Sequence, residues 1–249
     1  MTALLTGRTV LVLGASGGVG EGVTHALLDH GATVVAAARD RGRLDELAAR
    51  SPGSSAARLL LHPMNILDPD TSATTRAITD RYGSLDGVVI AIGDWGTAGH
   101  KAIMETSNET WDSMVAANQT SQFRAFKALI PALRNAGALV NLSGLSADLA
   151  YPGSALVAAT NAANKSLALT LAAEIGAAGP RVYELILGVI RTRPRRLQGI
   201  DRDDWYRAEE VGEHAALLIA GTTPLARTPL QYLISPAAGV RTDALVGQP

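Results

Sequence analysis

Cysteine is absent from the 249 residues. That excludes a disulfide framework, a thiol nucleophile and any cysteine-ligated zinc or iron–sulfur centre, and it suits a cytoplasmic protein. An excess of one charge is lacking too. The 22 basic and 23 acidic side chains leave a formal net charge of -1, so no cationic field exists to draw in nucleic acid. No apolar run approaches membrane-spanning length, and Met1–Arg8 (MTALLTGR) lacks the basic-then-apolar order of a signal peptide. No spacing of histidines and carboxylates suggests a metal site. Aromatic residues make up only 4%. What the chain does hold is 47% apolar residues, many of them small, and 25 glycines. That is enough to bury a core, and small side chains let helices and strands approach closely, as a layered α/β domain requires.

Apolar runs of strand length alternate with stretches of helical periodicity. Thr9–Leu13, Thr33–Ala38, Leu59–Leu61, Val88–Ile92, Ala138–Leu142 and Val182–Leu187 read as strands, with Gln231–Ile234 as a possible last one. Their near-continuous apolarity predicts burial on both faces, as in a parallel sheet. Gly20–His30, Arg43–Arg50, Thr71–Tyr82, Glu109–Arg134, Ser154–Ile175 and Glu209–Ile219 read as helices, with Gly31, Gly83, Gly137 and Gly176 as stops. Strict alternation predicts a single doubly wound domain over 1–249, its core at about 8–240: a parallel sheet of about seven strands with helices on both faces.

The turn after the first strand is Gly14-Ala15-Ser16-Gly17-Gly18-Val19-Gly20. Between a strand and a helix, such a turn lets backbone N–H groups and a helix N-terminus meet a pyrophosphate, as in a Rossmann-type fold. The other reading is a glycine turn needed only for packing. With its G-x-x-x-G-x-G spacing at Gly14, Gly18 and Gly20, the chain resembles the short-chain dehydrogenase/reductases. Asp86-Gly87-Val88-Val89, Asn118, Ala138–Ser143 and Gly188–Thr192 extend the resemblance over most of the chain. Leu13 replaces the family's threonine before the first glycine.

The resemblance implies a dinucleotide site. Its phosphate end would use Gly14, Ser16, Gly18, Val19 and Gly20. Asn65 and Ile66 would lie near adenine, Asn65 standing where the family has an aspartate. Gly93, Asn161, Ile190 and Thr192 would complete the nicotinamide end. Cofactor choice rests on the end of the second strand, where an acidic residue would bond a ribose 2′-OH and an arginine would accept a 2′-phosphate. The family's NAD-type aspartate position is Ala38, and Arg39 follows. NADP(H) is expected, with Ser16 adding a hydroxyl; otherwise Arg39 is an exposed strand-end charge beside Asp40.

The family's proton chemistry uses Ser, Tyr and, four residues after the Tyr, Lys, with an Asn supporting a water relay. The register that best fits the helix puts Gly144, Val157 and Asn161 at the Ser, Tyr and Lys positions, while Asn118 keeps its place. Lys165 puts the helix out of step. Valine donates no proton, and a neutral amide lacks an ammonium's Coulombic pull. Replacement groups must come from strand ends facing the same crevice. Asp94, Trp95 and His100 follow the fourth strand; Ser143, Ser146, Asp148 and Tyr151 follow the fifth. Asn118, Ser143, Tyr151 and Asn161 are the candidate catalytic residues, although Tyr151-Pro152-Gly153 also reads as an ordinary turn. Arg191, Arg193, Arg195 and Arg196 can clamp an anion or form a solvated turn balanced by Asp201, Asp203 and Asp204.

These readings predict an NADPH-using reductase of a small organic substrate with a displaced proton donor. A non-redox enzyme on the same scaffold (dehydratase, isomerase or cyclase) and an inactive nucleotide binder remain open. Neither nucleic acid nor membrane is an expected partner. Family helices equivalent to Glu109–Arg134 and Ser154–Ile175 pack against symmetry mates, which implies a homodimer or homotetramer.

Overall fold

The computed structural model describes residues 3–51, 53–94 and 101–243. In chain order the elements are β1 (Thr9–Leu13), α1 (Gly18–Asp29), β2 (Thr33–Ala38), α2 (Arg41–Arg50), α3 (Gly53–Ala56), β3 (Leu59–Pro63), α4 (Thr71–Tyr82) and β4 (Leu85–Ile90). Then come α5 (Asn108–Val115), a π-helical turn (Ala116–Thr120), α6 (Ser121–Leu129), β5 (Leu133–Gly144) and α7 (Ala155–Ile175). The chain continues with β6 (Arg181–Leu187), β7 (Ile190–Arg191), α8 (Arg193–Leu197), β8 (Tyr206–Arg207), α9 (Ala208–Ala220), β9 (Leu230–Leu233) and β10 (Val240–Arg241).

Eight strands form one sheet in the order β3-β2-β1-β4-β5-β6-β9-β10. Every pair is parallel except β9 with β10. The seven expected strands are all there, and β10 adds an antiparallel edge. Alternate side chains of one strand feed opposite cores, which is why the runs read as continuously apolar. Val10 and Val12 join the core with Val23, Leu27, Val211 and Ala215 of α1 and α9. Leu11 and Leu13 join the core with Ala125, Leu129 and Ala168 of α6 and α7.

Strand order reverses at β1, which lies between β2 and β4, so a crevice opens at the C-terminal ends of these strands. Among the described residues no helix is long and apolar enough to cross a membrane, and no cluster of potential metal ligands occurs.

The expected helix Glu109–Arg134 is instead two helices joined through the π-helical turn, and it ends at Leu129. Pro131 is the reason: its ring blocks continuation of the helix and it has no N–H to donate. Gly137 is accordingly no helix stop but a residue of β5. The fourth strand begins and ends earlier than expected, at Leu85 and Ile90: Leu85 already pairs with Leu133, and Gly87 pairs with Val10 and Ala138. Gly83 and Gly176 do end α4 and α7, with φ of 73° and 62°.

Candidate functional site

The turn after β1 is tied by main-chain bonds. Gly14 N–H donates to the Ala37 carbonyl at 2.8 Å, and Gly17 N–H to the Gly14 carbonyl at 2.9 Å. These bonds do what the hydroxyl absent at Leu13 would do. Gly14 has φ of +86°, and a Cβ there would stand 2.4 Å from the Ala91 carbonyl oxygen. A Cβ on Gly20 would stand 2.1 Å from the Gly14 carbonyl oxygen, so Gly20 is needed for close packing behind the turn rather than for lining. At the N-cap of α1, Gly17 offers no side chain, leaving the first-turn N–H groups and the positive end of the helix dipole open to the crevice.

Two cavities of about 440 and 430 Å³ share Gly17 and residues 91–94 and so form one cleft along the strand ends. The first is lined by Gly14, Ser16, Arg39, Asn65, Ile66 and Gly93; the second by Gly18, Val19, Gly93, Asn161, Ile190 and Thr192. Every residue expected at a dinucleotide site lines the cleft except Gly20. At the far end of the first cavity the exposed guanidinium of Arg39 meets a second one, Arg43, whose Nη2 donates to the Ser16 carbonyl at 2.9 Å. Sequence reasoning missed Arg43. Its signal was its place in the first turn of α2, directly after the strand end that carries Arg39. Asn65 turns its Oδ1 to the Leu67 N–H at 3.1 Å, which leaves its Nδ2 as a donor.

The second cavity brings Asn118, Ser143, Gly144, Val157 and Asn161 together. Asn118 sits in the π-helical turn and is buried. Its Oδ1 accepts from the Asp94 N–H at 2.6 Å and its Nδ2 donates to the Asp94 carbonyl at 2.7 Å. The Asn118 main-chain carbonyl accepts from Nδ2 of Asn164, at 3.0 Å. Asn161 Nδ2 donates to Ser146 Oγ at 2.9 Å. A Cβ on Gly144 would lie 2.9 Å from that same Nδ2, so the glycine makes room for the amide. No Tyr or Lys is among the described residues lining this cavity.

Three expectations need correction. Tyr151 is exposed on the turn before α7 and does not line the cleft, because the chain turns outward there to start the helix. Asp148 is bound to Lys165 and to the Tyr232 hydroxyl, the latter at 3.0 Å, rather than facing the cleft. Of the four arginines only Arg195 reaches the cleft, where burial pushes its guanidinium below the usual range. Arg191 is bound to Asp201 at 2.8 Å and Asp203 at 2.9 Å, as the solvated-turn reading expected, while Asp204 pairs with Arg202 instead. Asp94 lines both cavities. Trp95 and His100 lie outside the described residues.

Beneath the cleft floor is a carboxyl that the sequence reading passed over. Glu184 of β6 is completely buried. Its Oε2 accepts from Asn141 Nδ2 at 2.7 Å, its Oε1 accepts from the Ser143 hydroxyl, and Asn141 is held in turn by Gln122. Burial pushes its carboxyl up to about 7, opposed by the hydrogen bonds from Ser143 and Asn141 and by the nearby Lys165 charge. The signal was a lone Glu inside the apolar run Val182–Leu187.

A family model described as enoyl-(acyl carrier protein) reductase matches residues 14–242. An uncharacterized oxidoreductase from Staphylococcus epidermidis is 25% identical over 225 residues, 87% of this chain and 92% of its own length. A 3-oxoacyl-(acyl-carrier-protein) reductase from Vibrio cholerae is 27% identical over 195 residues, 76% of this chain and 75% of its own. A short-chain dehydrogenase from Shigella flexneri, solved complexed with NADP, has a TM-score of 0.80 at 23% identity and covers 93% of this chain and 98% of its own.

Proposed function

The chain belongs to the short-chain dehydrogenase/reductase family, and we propose that it is an NADPH-dependent reductase of a small organic substrate whose proton does not come from a tyrosine. The observation that carries this reading is the continuous cleft that runs from Ser16, Arg39 and Arg43 past the bare N-terminus of α1 to Val157 and Asn161. Its cradle fits a phosphorylated dinucleotide: a tight turn that admits no Cβ at Gly14 or Gly20, an uncapped helix N-terminus, and two guanidiniums where a 2′-phosphate would sit. The NADP of the Shigella flexneri relative supports the same choice.

NADPH, when bound, supplies a hydride. The chain's own residues do the rest. Arg39 and Arg43 would hold the 2′-phosphate, and the N–H groups of Gly18 and Val19 would receive the pyrophosphate. Val157 excludes water and offers no proton, which removes a general acid worth about 10²–10⁴ in rate. Asn161 is spent on Ser146 and carries no charge to lower a neighbour's pKa. The second reading, a non-redox reaction in the same cleft, draws on one observation: the Asn118 carbonyl is taken by Asn164.

Calorimetric titration tests the cofactor. NADPH should bind more tightly than NADH, and Arg39→Ala or Arg43→Ala should each weaken NADPH about 10- to 100-fold while leaving NADH unchanged, as expected for a charge-assisted bond. Unchanged discrimination in both variants rejects the 2′-phosphate site. Incubation of candidate substrates with 4-deuterated NADPH tests the reaction: deuterium in the product means reduction, and turnover without it means the non-redox reading.

A further inference from the structure

We propose that Glu184 and Ser143 form a proton-delivery pair, in which the buried carboxyl re-supplies the Ser143 hydroxyl and Ser143 presents its proton to a substrate oxygen in the cleft. The proposal rests on the reductase reading above and fills the vacancy that Val157 leaves.

Ser143 stands at the C-terminal end of β5 and lines the cleft beside Gly144, Val157 and Asn161. Behind it Glu184 is wholly enclosed. Of the two side chains that hydrogen-bond this carboxyl, Asn141 and Ser143, only Ser143 lines the cleft. The amide of Asn141 is locked by Gln122 and fixes the carboxyl's orientation without passing a proton. Tying β5 to β6 requires no ionisable group, since a glutamine there would accept from Asn141 and donate to the Ser143 oxygen without the cost of burying a charge. A carboxyl placed there holds its proton instead, and burial pushes it up to about 7, so the acid form is well populated at neutral pH. The charged and titratable groups facing it are Lys165 of α7, which favours the carboxylate, and Asp148 of the turn after β5, which opposes it. Tyr232 of β9 adds its hydroxyl, bound to Asp148.

With Glu184 protonated, its O–H donates to Ser143 Oγ and frees the serine proton to point into the cleft. As the substrate carbon accepts the hydride of a reduced nicotinamide, the C=O π pair moves onto oxygen and forms a bond to the Ser143 proton. Ser143 takes the Glu184 proton in the same motion and ends neutral. The substrate would have gained one hydride and one proton, and Glu184 would be left as a carboxylate behind the cleft that would hold the oxidised, cationic nicotinamide. The two charges are therefore linked: oxidised cofactor favours the carboxylate.

Infrared difference spectra of the full chain, taken across pH with saturating NADPH and again with saturating NADP+, read the neutral carboxyl directly. Glu184→Gln removes the band and so assigns it. Ser143→Ala provides a second assignment if that variant fails to fold, because loss of the hydroxyl partner raises the midpoint. The expected result is a carboxyl titrating near neutrality, with a midpoint lower under NADP+ than under NADPH by about half a pH unit or more. Equal midpoints under the two nucleotides, or a carboxyl ionised throughout, overturn the pair. Calorimetry on the same samples separates the two claims. If neither nucleotide binds, the reductase reading falls and the proton pair falls with it; if both bind and the midpoints coincide, only the pair falls.

Discussion

Glu184 also leaves a mark on stability. Its carboxyl is raised to about 7 in the fold and has an ordinary value near 4.3 in the unfolded chain. Between those values the native state binds the extra proton, so stability is fully present at low pH and is lost as pH rises through the native value. The shift corresponds to a loss of about 4 kcal/mol. His62 and His214, both pushed down by burial, act in the opposite sense, which makes the difference from Glu184→Gln the informative quantity. Urea unfolding of both proteins between about pH 5 and pH 8 should show the wild type losing ground to the variant steadily; parallel curves would mean that Glu184 is not protonated in the fold. Gly144 makes a second residue-scale prediction. Gly144→Ser should displace Asn161 from Ser146, since the added Cβ falls 2.9 Å from the Asn161 amide. Structure determination of the variant shows whether Asn161 has moved.

The π-helical turn between α5 and α6 places Asn118, and its side chain holds both polar main-chain groups of Asp94 where the cleft's two cavities meet. Asn118→Ala strips that clasp and leaves the Asp94 N–H and carbonyl without these partners. Asp94 is exposed, so each lost bond costs about 0.5–1.5 kcal/mol; unfolding in urea should shift by about 1–3 kcal/mol in all, and nucleotide binding should weaken with it. Asn118→Asp keeps the acceptor and loses the donor, and should fall between the two. An alanine variant as stable as the wild type would remove the turn from any part in shaping the site. The neighbouring α7 contributes in a different way. It carries few charges, and its cleft-facing positions are Val157, Asn161 and Asn164, so it shapes the pocket with neutral groups only.

Across the molecule, ligand and assembly report on the same architecture. A dinucleotide that binds only the folded chain stabilises it by mass action, about 2.7 kcal/mol at a hundredfold excess over Kd. Thermal scans should then rise by about 5–10 °C with NADPH and less with NADH. Trp111 of α5 and Phe123 of α6 are 46% and 49% exposed, apolar surface on the helices that pair in the family. We propose a two-fold homodimer or a 222 homotetramer through this face. Light scattering should return a multiple of the chain mass at micromolar concentration, and Phe123→Asp should lower it.

The sequence by itself determined the layered fold and the glycine turn after β1. Strands buried on both faces had to be apolar throughout, and the two turn positions where a Cβ would meet main chain, Gly14 and Gly20, had to be glycine, so β1 and these glycines were legible as local necessities. The same locality explains the one misread helix: periodicity alone ran it to Arg134, although Pro131 was there to stop it. Only the tertiary structure decided which polar groups meet around Val157 and Asn161. Asp148 and Tyr151 both follow β5 within the same turn, yet the start of α7 leaves Tyr151 outward, and Lys165 and Tyr232 draw Asp148 away. Arg43 joins Arg39 only because α2 starts at the strand end. Glu184 gains its partners only because β6 lies beside β5 in the register that sets it opposite Asn141. Hydrogen bonds between strands 43 residues apart depend on that register, and burial raises a carboxyl's pKa only once the sheet and α7 have closed over it.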